Sequence, residues 1–170
     1  MEDYYDDLTS VQRTFVSAAK NDSSANNFFS NTTKNNLETI VDKVQTFSNQ
    51  LSDINLRNFD DDARADTEKL SQKIQQDLPI YTNTLNLYNL FYDYVEHDYD
   101  ATYRTPILEL QNAKATAALQ KLDNYYTTYN TIRGSTIVKD LFLVYVDEDF
   151  SNGYYYEYIG KIIAELKNEQ

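Results

Sequence analysis

The chain has 170 residues, with 27 Asp and Glu against 15 Lys and Arg, a formal charge of −12. It holds one His, no Cys, no Trp, three Gly and two Pro. Without Cys there is no disulfide framework, thiol nucleophile or zinc ribbon, and a single His excludes multi-histidine metal sites; Gly134, Gly153 and Gly160 cannot build a phosphate-cradling loop.

Taken in chain order, Leu8, Val11, Phe15 and Ala18 outline a first helix over about residues 3–20. Glu2, Asp3, Asp6 and Asp7 favour the positive end of its dipole. Residues 21–27 are almost all loop or cap formers and break the chain. Leu37, Ile40, Val44, Phe47, Leu51 and Ile54 then recur in alternating steps of 3 and 4, which predicts an amphipathic helix over about 30–57. Asp60, Asp61 and Asp62 supply caps for a third helix. Its seam is Leu70, Ile74, Leu78, Tyr81, Leu85, Tyr88, Tyr92 and Val95. Pro79 lies within that seam, so the helix kinks there or restarts with Asp77 as a cap; the unbroken phase favours a kink.

Thr105-Pro106 reads as cap and first position of a fourth helix running to Arg133-Gly134, with a seam of Leu108, Ala115, Leu119, Leu122, Tyr126 and Tyr129. The apolar run from Ile137 to Val146 fits a buried helix or a buried strand, and the helical context favours helix. Tyr155, Ile159, Ile162, Ile163 and Leu166 outline a last helix. The expected fold is all-α, an antiparallel bundle of about four to six helices forming one domain over 1–170. Eight of the eleven residues from 85 to 95 are apolar or aromatic, so that stretch requires cover on every side, more simply from within the chain than from a partner.

Few residues point to chemistry. Asp93, Glu96, His97 and Asp100 would share one face of a continuous helix and could hold a metal or relay a proton. The plainer reading is the solvated end of a helix, because a helical di-metal site needs Glu-x-x-His from two helices, whereas here there is one His with Glu96 directly adjacent to it. Asp147-x-Asp149-x-Ser151-Asn152-Gly153 starts like a calcium loop but has Tyr158 where a bidentate Glu is required. No nucleophile and base can be paired. These features lead us to expect no enzyme activity, no cofactor and no resident metal.

A partner surface is the better expectation. Tyr125 and Tyr154 fall on polar helix faces, Tyr94 lies in the all-round apolar stretch, and Asp60, Asp61 and Asp62 cluster at a helix start. Exposed tyrosines are enriched at binding surfaces. Residues 1–100 hold 18 acids and 8 bases, so a basic protein partner is a natural complement. Nucleic acid is not, and no apolar run approaches the ~20 residues needed to cross a bilayer. The first expectation is therefore a non-enzymatic helical interaction module. An acidic inhibitor or immunity-type protein acting by charge mimicry is the second, and a carboxylate–His metal enzyme is a distant third.

Localisation divides the same observations. The acidic N-terminus has no basic segment followed by an apolar one, which reads as cytoplasmic. Yet 52 residues are Asn, Thr, Ser or Gln, alongside 16 Tyr, a composition common in exported proteins of Gram-positive bacteria and their phages.

Overall fold

The computed structural model describes residues 28–128 and 154–169, together with Asp3, Asp6, Ser10, Arg13 and Thr14; side chains at 125–128 and 154 are outside this set. Five helices are delimited and no strand occurs among the described residues: α1 Asn31–Ser52, α2 Asp61–Glu96, α3 Ala101–Glu109, α4 Ala113–Thr128 and α5 Tyr154–Asn168. The all-α expectation is met. The five described positions within the expected first helix are all helical. The run Ile137 to Val146 lies outside the described residues, as do the ends expected at Tyr129 and Gly134.

Local chemistry sets the boundaries. Ser30 caps α1 by accepting the Thr33 N–H, and Asp60 caps α2 by accepting the Ala63 N–H at 2.7 Å. Helix α2 runs through Pro79 without restarting, so Asp77 is an interior residue and not a cap. Thr82 and Thr84 donate their hydroxyls to the carbonyls of Leu78 and Ile80, which flank the proline, at 3.0 and 2.8 Å.

Helix α2 ends in a left-handed stop. The Tyr99 N–H reaches the Tyr94 carbonyl at 2.9 Å and the Asp98 N–H reaches Val95 at 3.2 Å. This is a Schellman closure, with Asp98 and Tyr99 at φ 54° and 61° where glycine is usual at the first position. The edge-to-face contact of Tyr94 with Tyr99, centroids 5.1 Å apart, offsets part of the left-handed cost of about 1–2 kcal/mol per residue.

The expected long fourth helix is two helices. Asp100, not Thr105, caps α3, accepting the Thr102 N–H at 2.7 Å, and Pro106 sits inside that helix. Gln111 at φ 51° then ends it, and Asn112 starts α4 by accepting the N–H groups of Lys114 and Ala115 at 3.0 and 3.2 Å. This break resets the helical phase. Ile107 is fully buried while Leu108, expected in the seam, is 40% exposed; Ala115, Leu119 and Leu122 are buried as expected.

Helix α2 is the element around which the other described helices pack: it touches α1, α3 and α5, and α4 joins through α3 and a Tyr94–Asp123 hydrogen bond. The α1 seam from Leu37 to Leu51 is buried against it, with Ile54 half-buried beyond the helix end. Phe28 and Phe29 precede α1; both pack on Tyr88, and Phe29 also on Phe91, with ring centroids 5.3–5.9 Å apart. Tyr88 and Tyr92 donate their hydroxyls to the Phe28 carbonyl and Asn31 Oδ1, both at 2.6 Å. The start of α1 therefore lies beside the end of α2, an antiparallel pair.

The phase reset gives a sharp expectation. Ile107→Ala should cost about 2–5 kcal/mol, while Leu108→Ala stays within about 0.5 kcal/mol, read as midpoints in urea unfolding. Equal losses at both positions would contradict the helix break.

Candidate functional site

The acids singled out from the sequence are largely structural. Asp60 is held below the usual carboxylate range by the Ala63 N–H first and by Glu165 second. Asp61 stands 3.8 Å from Arg64 on an exposed face, and Asp62 is exposed. Asp66, one turn further, is buried and receives Lys161 Nζ of α5 at 3.0 Å. That bond, ahead of the direct attraction between the charges, raises the Lys161 ammonium above its ordinary value.

Tyr94 is not part of an exposed surface. It is 4% exposed and donates to Asp123 Oδ1 of α4 at 2.6 Å. Burial, then the Asp123 bond, pushes its phenol above the ordinary tyrosine range. Arg104 of α3 closes the triangle, with two nitrogens 3.0 and 2.9 Å from Asp123 Oδ2. Tyr125 and Tyr154 occupy helical positions, but their side chains lie outside the described residues. Among the described side chains of α5, Tyr156 is exposed, at 46%, and donates to Asp6.

The Asp93, Glu96, His97 and Asp100 group does not share one continuous helix face. Helix α2 stops at Glu96, so Asp100 turns away to cap α3, held low by the Thr102 backbone N–H and then the Thr102 hydroxyl. His97 stacks on Tyr103 with centroids 3.8 Å apart and an interplanar angle of 13°, and its Nδ1 lies 2.7 Å from the Asp93 carbonyl. Among the described residues no group of three or more His, Asp or Glu is placed to hold a metal ion.

A buried polar tie was not anticipated. Asp77 is 2% exposed in the middle of α2; Lys73 Nζ lies 2.8 Å from its Oδ1, and Tyr155 of α5 donates to its Oδ2. With Lys161–Asp66 it fixes α5 antiparallel to the first half of α2. The signal in the sequence was an acid placed between Ile74 and Tyr81 on the buried seam.

Among the described residues, a groove of about 490 Å³ on the second half of α2 could take a ligand. Its walls are Ile80, Asn83, Thr84, Asn86, Leu87 and Leu90, faced by Leu110 and Asn112 from the α3–α4 break. Leu110 is 46% exposed. None of the eight is charged, although 25% of the chain is. The cover required around residues 85–95 is thus incomplete among the described residues: Tyr88, Phe91, Tyr92 and Val95 are buried, but Leu85, Leu87 and Leu90 are only half so. A sequence cue existed, since Leu78 to Tyr92 is a stretch of fifteen residues without a charge.

Two measurements probe the α2–α5 contact. Tyr155→Phe, which strips a donor from a buried carboxyl, should cost about 1–3 kcal/mol in denaturant unfolding. Glu165 behaves differently. The Asp60 carboxyl beside it, then burial, then the charges of Asp60 and Glu169, raise its pKa above the ordinary 4.5. A carboxyl raised in the folded state destabilises it above that raised pKa, and the penalty fades as pH falls toward 4.5. Glu165→Gln should therefore raise Tm at pH 7 and lose its advantage below the ordinary value; a gain that persists at low pH would exclude this cause.

Comparison of the chain with protein-family models, curated proteins and solved structures found no match, so the functional reading rests on the side chains above.

Proposed function

We propose that the chain is a non-enzymatic helical interaction module that holds an uncharged segment of a protein partner in the groove between α2 and the α3–α4 break. The observation that carries this reading is a lining that holds no charge among the described residues. A charged ligand would be desolvated there without a counter-charge, at a cost of several kcal/mol per ion. Leu87, Leu90 and Leu110 offer apolar area that a partner removes from water at roughly 25 cal/mol per Å².

Charge mimicry draws less support. Exposed acids stand on α1 (Asp42), α2 (Asp61, Asp62, Glu68, Glu96), α3 (Glu109) and α5 (Glu157), with Glu169 just past its end. Several others are spent on caps and buried ties. A mimic of nucleic acid requires its carboxylates on one face.

Selection of random displayed peptides on the immobilised chain tests the proposal. Uncharged, leucine-rich or aromatic peptides should emerge, and Leu110→Lys should weaken them about tenfold or more, equivalent to about 1.4 kcal/mol. Circular dichroism of the variant verifies the fold. Selection of basic peptides whose binding fades with salt and ignores Leu110→Lys would overturn the reading in favour of an acidic inhibitor.

A further inference from the structure

We infer that the segment the groove accepts is extended and is recognised through its backbone amides. This rests on the proposed interaction role and goes further, to the conformation of the occupant.

The lining mixes leucines with three asparagines: Asn83 and Asn86, exposed on α2, and Asn112, exposed across the gap. Each side-chain amide carries an acceptor oxygen and two N–H donors. The Asn112 oxygen already accepts the Lys114 and Ala115 N–H groups, so this residue presents its donors to an occupant. Asn83 and Asn86 are one helical turn apart and can present both donors and acceptors.

A helical occupant has little use for these groups. Its backbone is bonded internally, and an apolar helix face pressed on three amides would strip them of water with nothing in exchange, costing about 1–3 kcal/mol for each one left unpaired. An extended chain poses the opposite problem. It carries unbonded N–H and C=O groups at about 3.3 Å intervals and sends alternate side chains to opposite sides. Amides along the walls answer the first need, and Leu87, Leu90 and Leu110 the second.

The dimensions agree. From Ile80 to Leu90 the helix rises about 15 Å at 1.5 Å per residue, the length of about four or five extended residues. The occupant is thus a short, uncharged, extended peptide stretch with apolar side chains on one side.

The test uses the full chain and a synthetic peptide copied from a groove-dependent binder of the library selection. Analogues N-methylated at successive positions remove one backbone donor at a time. Methylation at one or two alternate positions should weaken binding about tenfold, as should Asn86→Ala. Gln75→Ala, exposed on α2 but outside the lining, should leave binding unchanged. In 15N spectra the side-chain NH₂ signals of Asn83, Asn86 and Asn112 should move on binding. A peptide that depends on Leu110 yet ignores N-methylation and Asn86→Ala, and binds more tightly when stapled as a helix, overturns this inference and leaves the interaction role standing. Absence of any binder sensitive to Leu110→Lys overturns both.

Discussion

Helix α2 carries more apolar surface than any single neighbour can cover, and the arrangement of the other helices follows from that constraint. Its 36 residues extend about 54 Å, whereas the 22 residues of α1 reach about 33 Å and the 15 of α5 about 23 Å. Helix α5 meets Asp66 through Lys161 and Asp77 through Tyr155, so it covers the first half. The α3–α4 corner covers the far end, where Asp123 and Arg104 close over Tyr94. Among the described helices, the stretch from Ile80 to Leu90 lies between the end of one cover and the start of the other, and that interval is the groove. Among these helices the groove follows from their unequal lengths.

The polar ties on α2 sit where an apolar residue would pack as well, which bears on what they accomplish. Replacing a buried ionic group with a well-packed hydrophobe is often neutral or stabilising, so Asp77 and Asp66 are poor candidates for net stability. Their effect is on register. Sliding α5 by one turn, about 5.4 Å, would part both carboxyls from Lys161 and Tyr155, an uncompensated burial that a purely apolar seam would not penalise. Fixing α5 in this way also fixes where its cover of α2 stops, and hence where the groove begins.

The seams of α1, α2 and α5 were legible because each keeps one phase over several turns, and phase is what burial imposes on a sequence. The α3–α4 break was not. Gln111 takes a left-handed conformation that glycine or asparagine usually signals, and Asn112 caps without a neighbouring proline. Thr105-Pro106 imitated a helix start because proline is tolerated near the beginning of a helix, and the actual cap, Asp100, lay five residues earlier. From that one misplaced boundary came the wrong face for Leu108 and an over-long fourth helix. Tyr94 failed for a different reason: a tyrosine can bury its ring and still satisfy its hydroxyl, and sequence alone does not reveal that Asp123 waits across a helix junction.

The net charge of −12 suggests a surface that acts through its acids, but the acids and the proposed recognition groove part company. Asp60 and Asp100 cap helices, Asp66 and Asp77 tie α5 to α2, and Asp123 binds α3 and α2 to α4. Those carboxyls are engaged within the fold and have less to offer a basic partner. The remaining exposed acids raise the cost of any non-specific approach by another acidic surface, while the uncharged residues that line the groove do not add to it there. In a chain of this composition, a missing charge carries more information about binding than an additional one.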